Sequence, residues 1–361
     1  MTKPIRVLVV DDSAFNRRTL SDLLVALPGV EVIGKASDGE EALKLTVELA
    51  PDLITLDLEM PRMDGFTFLR LLMARRPTPV IVVSGFAAKE NVFRALELGA
   101  LDFIAKPTRT IAADLSAIQQ ELAEKVALVR LLTPTATDPA RPGFRGRGTS
   151  TATGLFPVLP DSSSPRAAES MPRWLVVIAS STGGPTALLE VFAQLPASAS
   201  AAVVVAQHMP ERFTKTFADR LNRLSPFSVS EGTDVQILRP GHAVICPGGR
   251  CIEVVRRGNE LLAKSVPAMP TDRYVPSGDR LFESAARAMA GRTIGVVLTG
   301  MGDDGAAGAV AIRGGGGVVI AESAESAVVY GMPGAAMRTG AVERSLPLRE
   351  LATHLAAMIT R

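Results

Sequence analysis

Near its start the chain carries the stretch IRVLVVDD, residues 5–12. An apolar, β-branched run of this length predicts a strand buried on both faces, as in a parallel sheet. The run ends directly in Asp11 and Asp12, so two carboxylates are expected at the carboxyl edge of the strand. The rest of the first third of the chain repeats this arrangement.

Three further apolar runs of strand length each end in a polar residue: LITL before Asp57, VIVV before Ser84 and LDFIA before Lys106. Stretches with apolar residues at three- and four-residue spacing lie between the runs and predict helices. The alternation of strands and helices predicts a doubly wound parallel sheet, whose ligands gather beyond the carboxyl ends of its strands. The polar residues are therefore expected at one edge.

This set of side chains suits phosphoryl transfer to a carboxylate. Clustered carboxylates repel one another unless a hard cation is present, and Mg²⁺ accepts carboxylate and phosphate oxygens as ligands. With Asp57 as the nucleophile, Lys106 can neutralise the phosphoryl oxygens and Ser84 can donate a hydrogen bond to one of them. A single acidic pair at a strand end is more often a helix cap, but five polar positions at matching strand ends favour a functional site.

Residues 1–132 resemble the receiver domain of two-component response regulators. The matching segments are VVDDS at 9–13, LDLEMPRMDG at 56–65, VSG at 83–85 and KP at 106–107. The resemblance implies a flavodoxin-like fold, phosphorylation by a sensor histidine kinase and Mg²⁺ at the phosphorylation site. It also implies the residue roles: Asp57 is the phosphoacceptor and a metal ligand, Asp11 and Asp12 are metal ligands, the backbone carbonyl of Glu59 is the third protein ligand, and Ser84 and Lys106 are the phosphate-site switch residues.

Length and composition predict two domains joined by a flexible linker. At 361 residues the chain exceeds one ordinary core. Residues 133–172 are dominated by Pro, Gly, Ser, Thr and Ala and lack the apolar residues that a core needs. We therefore expect a first domain at 1–132, a linker at 133–172 and a second domain at 173–361.

Charge and hydropathy exclude several classes of partner. The formal net charge is +2, aromatic residues make up 4% and no block of Lys and Arg occurs, which disfavours nucleic acid. No apolar run approaches the roughly 18 residues that span a bilayer, and no signal-peptide pattern precedes the first strand. We expect a cytoplasmic protein without direct membrane insertion. Two cysteines are too few for a disulfide framework or a four-ligand zinc site.

The second half places a hydroxyl, an imidazole and a carboxylate after predicted strands. WLVVIA (174–179) leads into SSTGGP (180–185), which predicts a serine at a helix N-terminus, where backbone N–H groups favour developing negative charge. AAVVVA (201–206) leads into Gln207 and His208, and TIGVVL (293–298) leads into TGMGDDG (299–305). A serine, a general base and an orienting acid would form a hydrolytic triad.

Each part of this set also has an ordinary structural interpretation. Serine is a common helix cap, glycine a common turn residue, and a histidine after a strand can cap a turn. The Gly-x-Ser-x-Gly elbow is absent, so an ordinary α/β-hydrolase is disfavoured.

Residues 173–361 resemble the catalytic domain of the chemotaxis protein-glutamate methylesterases. The matching segments are ASSTGG at 179–184, QHMP at 207–210, PGHA at 240–243, LTGMGDDG at 298–305 and YGMP at 330–333. The resemblance implies a Rossmann-like doubly wound domain. It further implies that Ser181 is the nucleophile, His208 the base and Asp304 the orienting acid, with the backbone N–H of Met301 as the oxyanion donor.

Two positions leave alternatives within this assignment. Ser180 precedes Ser181, although the register of the motif favours Ser181. Position 303 is Asp where the family usually has Asn, so Asp303 is a rival for Asp304. A second carboxylate there is also expected to raise the pKa values of the pair.

Together the resemblances imply a phosphorylation-activated esterase. Its expected substrates are methylated glutamates on the cytoplasmic domains of chemoreceptors, hydrolysed to glutamate and methanol without a cofactor, and it is expected to deamidate receptor glutamines as a second activity. In the family the unphosphorylated receiver restricts access to the catalytic edge. Two other functions remain open at this point: a response regulator whose output is protein binding, and an esterase of a non-chemotactic sensory pathway.

Overall fold

The computed structural model describes residues 3–85, 89–106, 112–132 and 171–360. The chain divides into two compact units, Met1–Arg147 and Gly148–Arg361. This division falls inside the predicted linker 133–172, almost all of which lies outside the described residues. The predicted linker and domain boundaries therefore stay predictions, and each unit is described by itself.

The first unit alternates strands and helices along the chain. Its elements are β1 (Ile5–Val10), α1 (Ala14–Val25), β2 (Val30–Ala36), α2 (Gly39–Leu49), β3 (Leu53–Leu56), α3 (Gly65–Arg75), β4 (Val80–Ser84), α4 (Lys89–Glu97), β5 (Asp102–Ala105) and α5 (Ala112–Leu132). The strands form one sheet in the order β2-β1-β3-β4-β5, and all neighbours are parallel. This is the flavodoxin-like order, so the predicted fold class is confirmed.

Helix caps and buried strands explain why this unit takes its shape. Ser13, Asp38 and Asp64 each accept a backbone N–H in the first turn of α1, α2 and α3. Strands β3 and β4 are buried along their whole length, whereas the edge strand β2 is half-exposed. Because β1, β3, β4 and β5 run parallel, their carboxyl ends meet at one edge of the sheet.

The second unit is built on a longer parallel sheet. Its elements are β6 (Trp174–Ser180), α6 (Gly184–Ala193), β7 (Ala201–Gln207), α7 (Glu211–Leu224), β8 (Ser228–Glu231), β9 (Val235–Ile237), β10 (His242–Ile245), β11 (Arg250–Arg257), β12 (Glu260–Pro267), α8 (Gly278–Ala288), β13 (Thr293–Val297), α9 (Ala306–Gly314), β14 (Val318–Glu322), α10 (Met332–Arg338), β15 (Arg344–Leu346) and α11 (Leu348–Thr360). Seven strands pair in the order β15-β14-β13-β6-β7-β10-β8, all parallel. Strand β6 has β7 on one side and β13 on the other, so a crevice is expected at their carboxyl ends.

A second, smaller sheet was not predicted from the sequence. Strands β11, β12 and β9 pair in that order and are antiparallel. The inward side chains of β11 and β12 belong to the same buried cluster as Leu281 and Phe282 of α8, and the backbone N–H of Val254 donates to Ser284 Oγ at 3.0 Å. The Rossmann-like description therefore holds for the seven-stranded sheet, and this antiparallel sheet adds a layer over α8.

None of the helices in the described ranges is both long enough and apolar enough to cross a bilayer. Both cysteines, Cys246 and Cys251, are buried and free.

Close packing of α8 against α9 depends on a residue without a side chain. A Cβ on Gly308 of α9 would overlap Phe282 Cβ and lie 3.1 Å from the Asp279 backbone, whereas Gly314, in the same helix, has open space around it. We expect Gly308→Ala to lower the free energy of unfolding of the second unit by about 1–3 kcal/mol. Gly314→Ala is the matched control, and is expected to be neutral or to stabilise by up to about 1 kcal/mol.

Urea unfolding followed by Trp174 fluorescence measures this difference, because Trp174 in β6 is the single tryptophan of the chain. Equal effects of the two substitutions would contradict the packing described for α8 and α9.

Candidate functional sites

The predicted acidic cluster of the first unit is assembled in the structure. One carboxylate oxygen from each of Asp11, Asp12 and Asp57 lies within 4.8 Å of the others. Asp11 and Asp57 are buried and Asp12 is exposed. Lys106 Nζ lies 2.5 Å from Asp57 Oδ2 and 3.2 Å from Asp11 Oδ2. Residues from three different strand ends thus meet at one point.

Backbone pairing between strand ends holds these side chains in place. The Lys106 N–H donates to the Ser84 carbonyl at 2.9 Å, and the Asp57 N–H donates to the carbonyl of Val10 at 2.9 Å. Ser84 is buried, and its hydroxyl donates to the Gly85 carbonyl at 3.3 Å. The Glu59 N–H donates to Asp57 Oδ1 at 3.3 Å, which places the Glu59 backbone beside the carboxylate.

Burial and charge set the protonation of the cluster. Burial raises the pKa of the Asp57 carboxyl, and the nearby Asp11 adds to the rise, against the opposing effect of Lys106. Burial alone would lower the pKa of the Lys106 ammonium, but Asp57 and Asp11 outweigh it and raise that pKa. The cluster therefore carries a buried excess of negative charge.

This excess charge fits a divalent cation. Lys106 Nζ reaches Asp11 Oδ2 as an ion pair, but without the angle of a hydrogen bond. That buried oxygen has no hydrogen-bond partner among the described residues. A buried carboxylate oxygen that shares its ammonium neighbour with Asp57, beside two further carboxylates, is the oxygen-rich environment that Mg²⁺ prefers.

A stability measurement tests the electrostatics of this cluster. A raised carboxyl pKa means that ionisation is less favourable in the folded chain than in the unfolded chain, so stability falls as the pH rises through the raised value. At neutral pH and without divalent cations, we expect Asp57→Asn to raise the free energy of unfolding of the first unit by about 1 kcal/mol. Mg²⁺ should stabilise the wild type more than this variant, since it binds the folded state.

The measurement is urea unfolding by far-ultraviolet circular dichroism, in EDTA and in Mg²⁺, with Trp174 fluorescence marking the transition of the second unit. Asp22→Asn, at an exposed carboxylate of α1, is the control. It should have the free energy of unfolding of the wild type in EDTA and gain the same stabilisation from Mg²⁺. If Mg²⁺ raises the free energy of unfolding of the first unit equally in the wild type and in Asp57→Asn, the metal site at Asp57 is contradicted.

In the second unit, a histidine and a buried aspartate form a close pair. His208 follows β7 and Asp304 follows β13, and His208 Nε2 lies 2.7 Å from Asp304 Oδ2. The side chain of Asp304 is fully buried, whereas that of His208 is 17% exposed. Because Nε2 faces the carboxylate, Nδ1 is the ring nitrogen that remains to accept a proton in the neutral histidine.

The N-terminus of α8 holds the Asp304 carboxylate. The backbone N–H groups of Gly278 and Asp279 donate to it at 2.7 and 2.9 Å, and the hydroxyl of Ser277, the N-cap residue, lies 3.4 Å away. Burial would raise the pKa of Asp304, but the bond and charge of His208 together with these N–H donors outweigh it and lower the pKa. Asp304 is thus kept ionised without solvent.

The two serines at the end of β6 have different surroundings. Ser180 is fully buried, and its hydroxyl donates to Gln207 Oε1 at 2.7 Å. Ser181 is half-buried, and its Oγ has no hydrogen-bond partner among the described residues. Of the two hydroxyls, that of Ser181 is the one available to a substrate.

Gln207 ties the backbone of the serine segment to that of the histidine segment. Its amide Nε2 donates to the carbonyls of Ser181 and His208 at 3.0 and 2.9 Å. A Cβ on Gly184 would overlap the amide oxygen of Gln207, which explains the glycine at the start of α6. Gln207 was noted in the sequence only as part of a motif, and this bridging contact depends on the pairing of β6 with β7.

The predicted oxyanion donor lies beside Ser181. A Cβ on Gly300 would lie 2.8 Å from Ser181 Cβ, so the backbone at Gly300, the residue before Met301, lies against the serine. The Gly300 N–H and carbonyl are both used in bonds to the Val329–Met332 segment. The Met301 N–H has no acceptor within the described part of the chain, which leaves it free for a ligand oxygen.

Asp303 binds Arg273 and Tyr274 rather than the histidine. Its carboxylate accepts from Arg273 Nη1 at 2.9 and 3.0 Å and from the Tyr274 hydroxyl at 2.9 Å. The expectation that Asp303 would raise the pKa values of an aspartate pair is wrong for Asp304, whose pKa is lowered. The reason is that Asp303 points to a cation in solvent, while Asp304 points to N–H donors and His208.

Sequence reasoning missed one residue at this site. The Tyr274 ring stacks on the His208 imidazole, with ring centroids 5.2 Å apart and planes inclined by 13°. Tyr274 lies in an irregular segment before α8, where no periodic pattern marks it. The signal that could have drawn attention to Tyr274 is the rarity of tyrosine, since the chain has two tyrosines.

The two units together define a class of regulatory protein in which a receiver fold precedes a parallel-sheet hydrolase fold. A model of the CheB methylesterase family matches residues 176–355, and a model of the response regulator receiver domain matches residues 7–116. Together with relatives that match along nearly the whole chain, these matches show that the chain belongs to the CheB methylesterase family, in the form that carries a receiver domain.

The relatives match along nearly the whole chain. A protein-glutamate methylesterase/protein-glutamine glutaminase from Myxococcus xanthus is 48% identical over 99% of this chain and 98% of its own length. Another from Geobacter sulfurreducens is 45% identical over 98% of this chain and 97% of its own length. The crystal structure of the Thermotoga maritima CheB methylesterase catalytic domain is 35% identical, with a TM-score of 0.50, over 52% of this chain and 98% of that chain.

Proposed function

We propose that this protein is a phosphorylation-activated protein-glutamate methylesterase. Its substrates would be glutamate methyl esters on the cytoplasmic domains of chemoreceptors, and its products glutamate and methanol. The observation that carries the proposal is the His208–Asp304 pair after β7 and β13, with the Ser181 hydroxyl, which has no partner among the described residues, after the intervening strand β6 and the free Met301 N–H next to Gly300. These are the parts that acyl transfer to water requires.

The geometry supports a specific route for the proton in acylation. Ser181 Oγ attacks the ester carbonyl carbon, and its proton passes to His208 Nδ1, because Nε2–H donates to Asp304. The negative charge that develops on the carbonyl oxygen is stabilised by the Met301 N–H. The proton on Nδ1 then goes to the methoxy oxygen, the C–O bond breaks and methanol leaves.

Deacylation reverses these roles with water as the nucleophile. His208 Nδ1 takes a proton from the water that attacks the acyl-enzyme, and returns it to Ser181 Oγ as glutamate is released. Asp304 stays ionised throughout and stabilises the imidazolium. The route assigns no role to a cofactor. The same attack on a side-chain amide would release ammonia, so receptor glutamines are proposed as additional substrates.

The acidic cluster of the first unit is proposed as the phosphorylation site, with Asp57 as phosphoacceptor. Asp11, Asp12, Asp57 and the Glu59 carbonyl would hold Mg²⁺, which neutralises phosphate oxygens when bound. Lys106 would pair with the phosphoryl group in place of its present contact with Asp57 Oδ2. Ser84, on the neighbouring strand end, would donate its hydroxyl to a phosphoryl oxygen.

A sensor histidine kinase is the proposed phosphodonor, and methylated chemoreceptors are the proposed protein partners. Both would meet this protein in the cytoplasm, where the receptor methylation sites lie. Loss of the Lys106–Asp57 contact on phosphorylation is a local charge change, and a change of this kind can act as a regulatory switch. A few kcal/mol would suffice for regulation of that kind.

Substitution of the two adjacent aspartates tests the proposed triad. We expect Asp304→Asn to lower kcat/KM for methanol release by about 10³-fold or more, because an amide cannot hold His208 in its tautomer or stabilise its cation. Asp303→Asn is the matched control, and should lower it less than about tenfold. Ser181→Ala should abolish release above the level of the uncatalysed reaction.

The measurement uses methyl-labelled receptor membranes and the full chain, with Trp174 fluorescence to verify that each variant is folded. Absence of methanol release by the wild type, or full activity of Ser181→Ala, would overturn the esterase proposal. Full biological output from Ser181→Ala would instead favour a protein-binding output.

Substitution of the phosphoacceptor tests the regulatory part separately. An acyl phosphate phosphodonor is expected to stimulate methanol release by the wild type and by Asp22→Ala, which removes an exposed carboxylate from the same unit. Asp57→Ala should keep the low basal rate and gain nothing from the phosphodonor, because no carboxylate remains to form the acyl phosphate. Equal stimulation of Asp57→Ala would show that activation does not pass through Asp57.

A further inference from the structure

Two contacts act on the imidazole of His208, and only one of them is part of the proposed triad. The bond from Nε2 to Asp304 fixes the position of one ring nitrogen. The stacked ring of Tyr274 covers one face of the imidazole, with the planes within 13° of parallel. A single hydrogen bond leaves the ring free to tilt about that bond, whereas a stacked neighbour restricts the ring plane.

Tyr274 is itself held by Asp303 and Arg273. Its hydroxyl donates to Asp303 Oδ1 at 2.9 Å and accepts from the Asp303 N–H at 3.4 Å. The Arg273 guanidinium pairs with Asp303 and lies 5.2 Å from the centroid of the Tyr274 ring. Burial, followed by the Asp303 acceptor, raises the pKa of the Tyr274 hydroxyl, which therefore stays a donor.

The backbone beneath the phenol is adapted to its presence. Gly302 has a φ of +87°, and a Cβ there would overlap the Tyr274 hydroxyl. Glycine adopts this conformation at no steric cost and leaves the space that the phenol occupies. The segment that carries Met301 and Asp304 thus also seats Tyr274.

We propose that Tyr274 is a positioning residue for His208, held in place by Asp303 and Arg273. The proposal rests on the esterase function proposed above, in which His208 Nδ1 must face Ser181. With Nε2 on Asp304 and the ring plane against Tyr274, Nδ1 is held in one direction. Orientation of this kind matters because a displacement of about 1 Å at a reacting group can cost on the order of 10²-fold in rate.

Stacking also favours the charged form of His208 that arises during the reaction. When Ser181 transfers its proton, a cation forms directly over the face of the phenol ring, and a cation in this position is attracted to the π system. The hydrogen bond from the hydroxyl to Asp303 increases the electron density of that ring. Tyr274 further excludes water from one face of the imidazole.

Two substitutions separate the effect of the Tyr274 ring on kcat from the effect of its hydroxyl. Tyr274→Leu removes both, and is expected to lower kcat by about 10- to 100-fold with KM changed less than about threefold. Tyr274→Phe keeps the ring and should recover kcat to within about threefold of the wild type. Arg313→Ala, which breaks an exposed ion pair with Glu343 elsewhere in this unit, is the matched control and should leave kcat unchanged.

Histidine NMR reports the tautomer and the ring-proton shifts of His208, which would not change if Tyr274 only stabilised the fold. The chain has three histidines, so ¹⁵N-histidine labelling gives few signals, and His208→Gln identifies that of His208. In the wild type we expect the Nε2–H tautomer and ring protons shifted upfield by the stacked phenol. Tyr274→Phe should preserve both features, whereas Tyr274→Leu should lose the upfield shift and mix the tautomers.

The outcomes separate this inference from the esterase proposal. Methanol release by Tyr274→Leu at the wild-type kcat, or unchanged His208 signals in that variant, would overturn the positioning role and leave the esterase intact. A wild type that releases no methanol but shows the expected His208 signals and their loss in Tyr274→Leu would overturn the esterase alone. If Tyr274→Leu does not fold, as judged by Trp174 fluorescence, the comparison of Asp303→Ala with Asp303→Asn replaces it. Asp303→Ala removes both the acceptor for the Tyr274 hydroxyl and the partner of Arg273, so it should reduce the upfield shift and kcat, whereas Asp303→Asn keeps an acceptor and should retain more of both. Wild-type His208 signals and wild-type kcat in Asp303→Ala would overturn the positioning role.

Discussion

The second unit depends on one buried negative charge. Asp304 has no contact with solvent, and it is kept ionised by N–H donors at the start of α8 and by His208. An unpaired carboxylate in that position would be strongly unfavourable. The position of α8, the irregular segment after β13 and the direction of the imidazole are therefore all coupled to this charge, and the small antiparallel sheet packs over the same helix.

Both units place aspartates at the carboxyl ends of parallel strands, but the pKa of the buried aspartate is raised in the first unit and lowered in the second. In the first unit, Asp57 is buried beside Asp11, both carboxylates share the Lys106 ammonium, and the pKa of Asp57 is raised. In the second, several directed N–H donors surround Asp304, and its pKa is lowered. A raised pKa marks a carboxylate that lacks positive charge and suits a cation, while a lowered pKa marks one that is already satisfied. The number of donors, rather than burial, makes the difference.

The limits of prediction from this sequence follow from the kind of signal that each element carries. The central strands are continuous apolar runs, so β1, β3, β4, β6, β7 and β13 were recognisable. Edge strand β2 is half-exposed and mixes charged with apolar residues, and β11 and β12 belong to an antiparallel sheet whose partners are not marked in the sequence. Tyr274 lies in no periodic segment, and it reaches His208 only because the fold brings the segment before α8 beside His208 and Asp303.

The sequence by itself determined the central strands of both parallel sheets, the polar residues that follow those strands and the family to which they point. Those properties are local, because a strand and the residue after it are adjacent in the chain. Only the tertiary structure decided that Asp304 rather than Asp303 contacts His208, that the hydroxyl of Ser181 rather than Ser180 is free, and that Tyr274 covers the imidazole. Neighbouring residues of the same chemical type differ only in the direction in which the folded backbone points them, and that direction is set by contacts between segments far apart in the sequence.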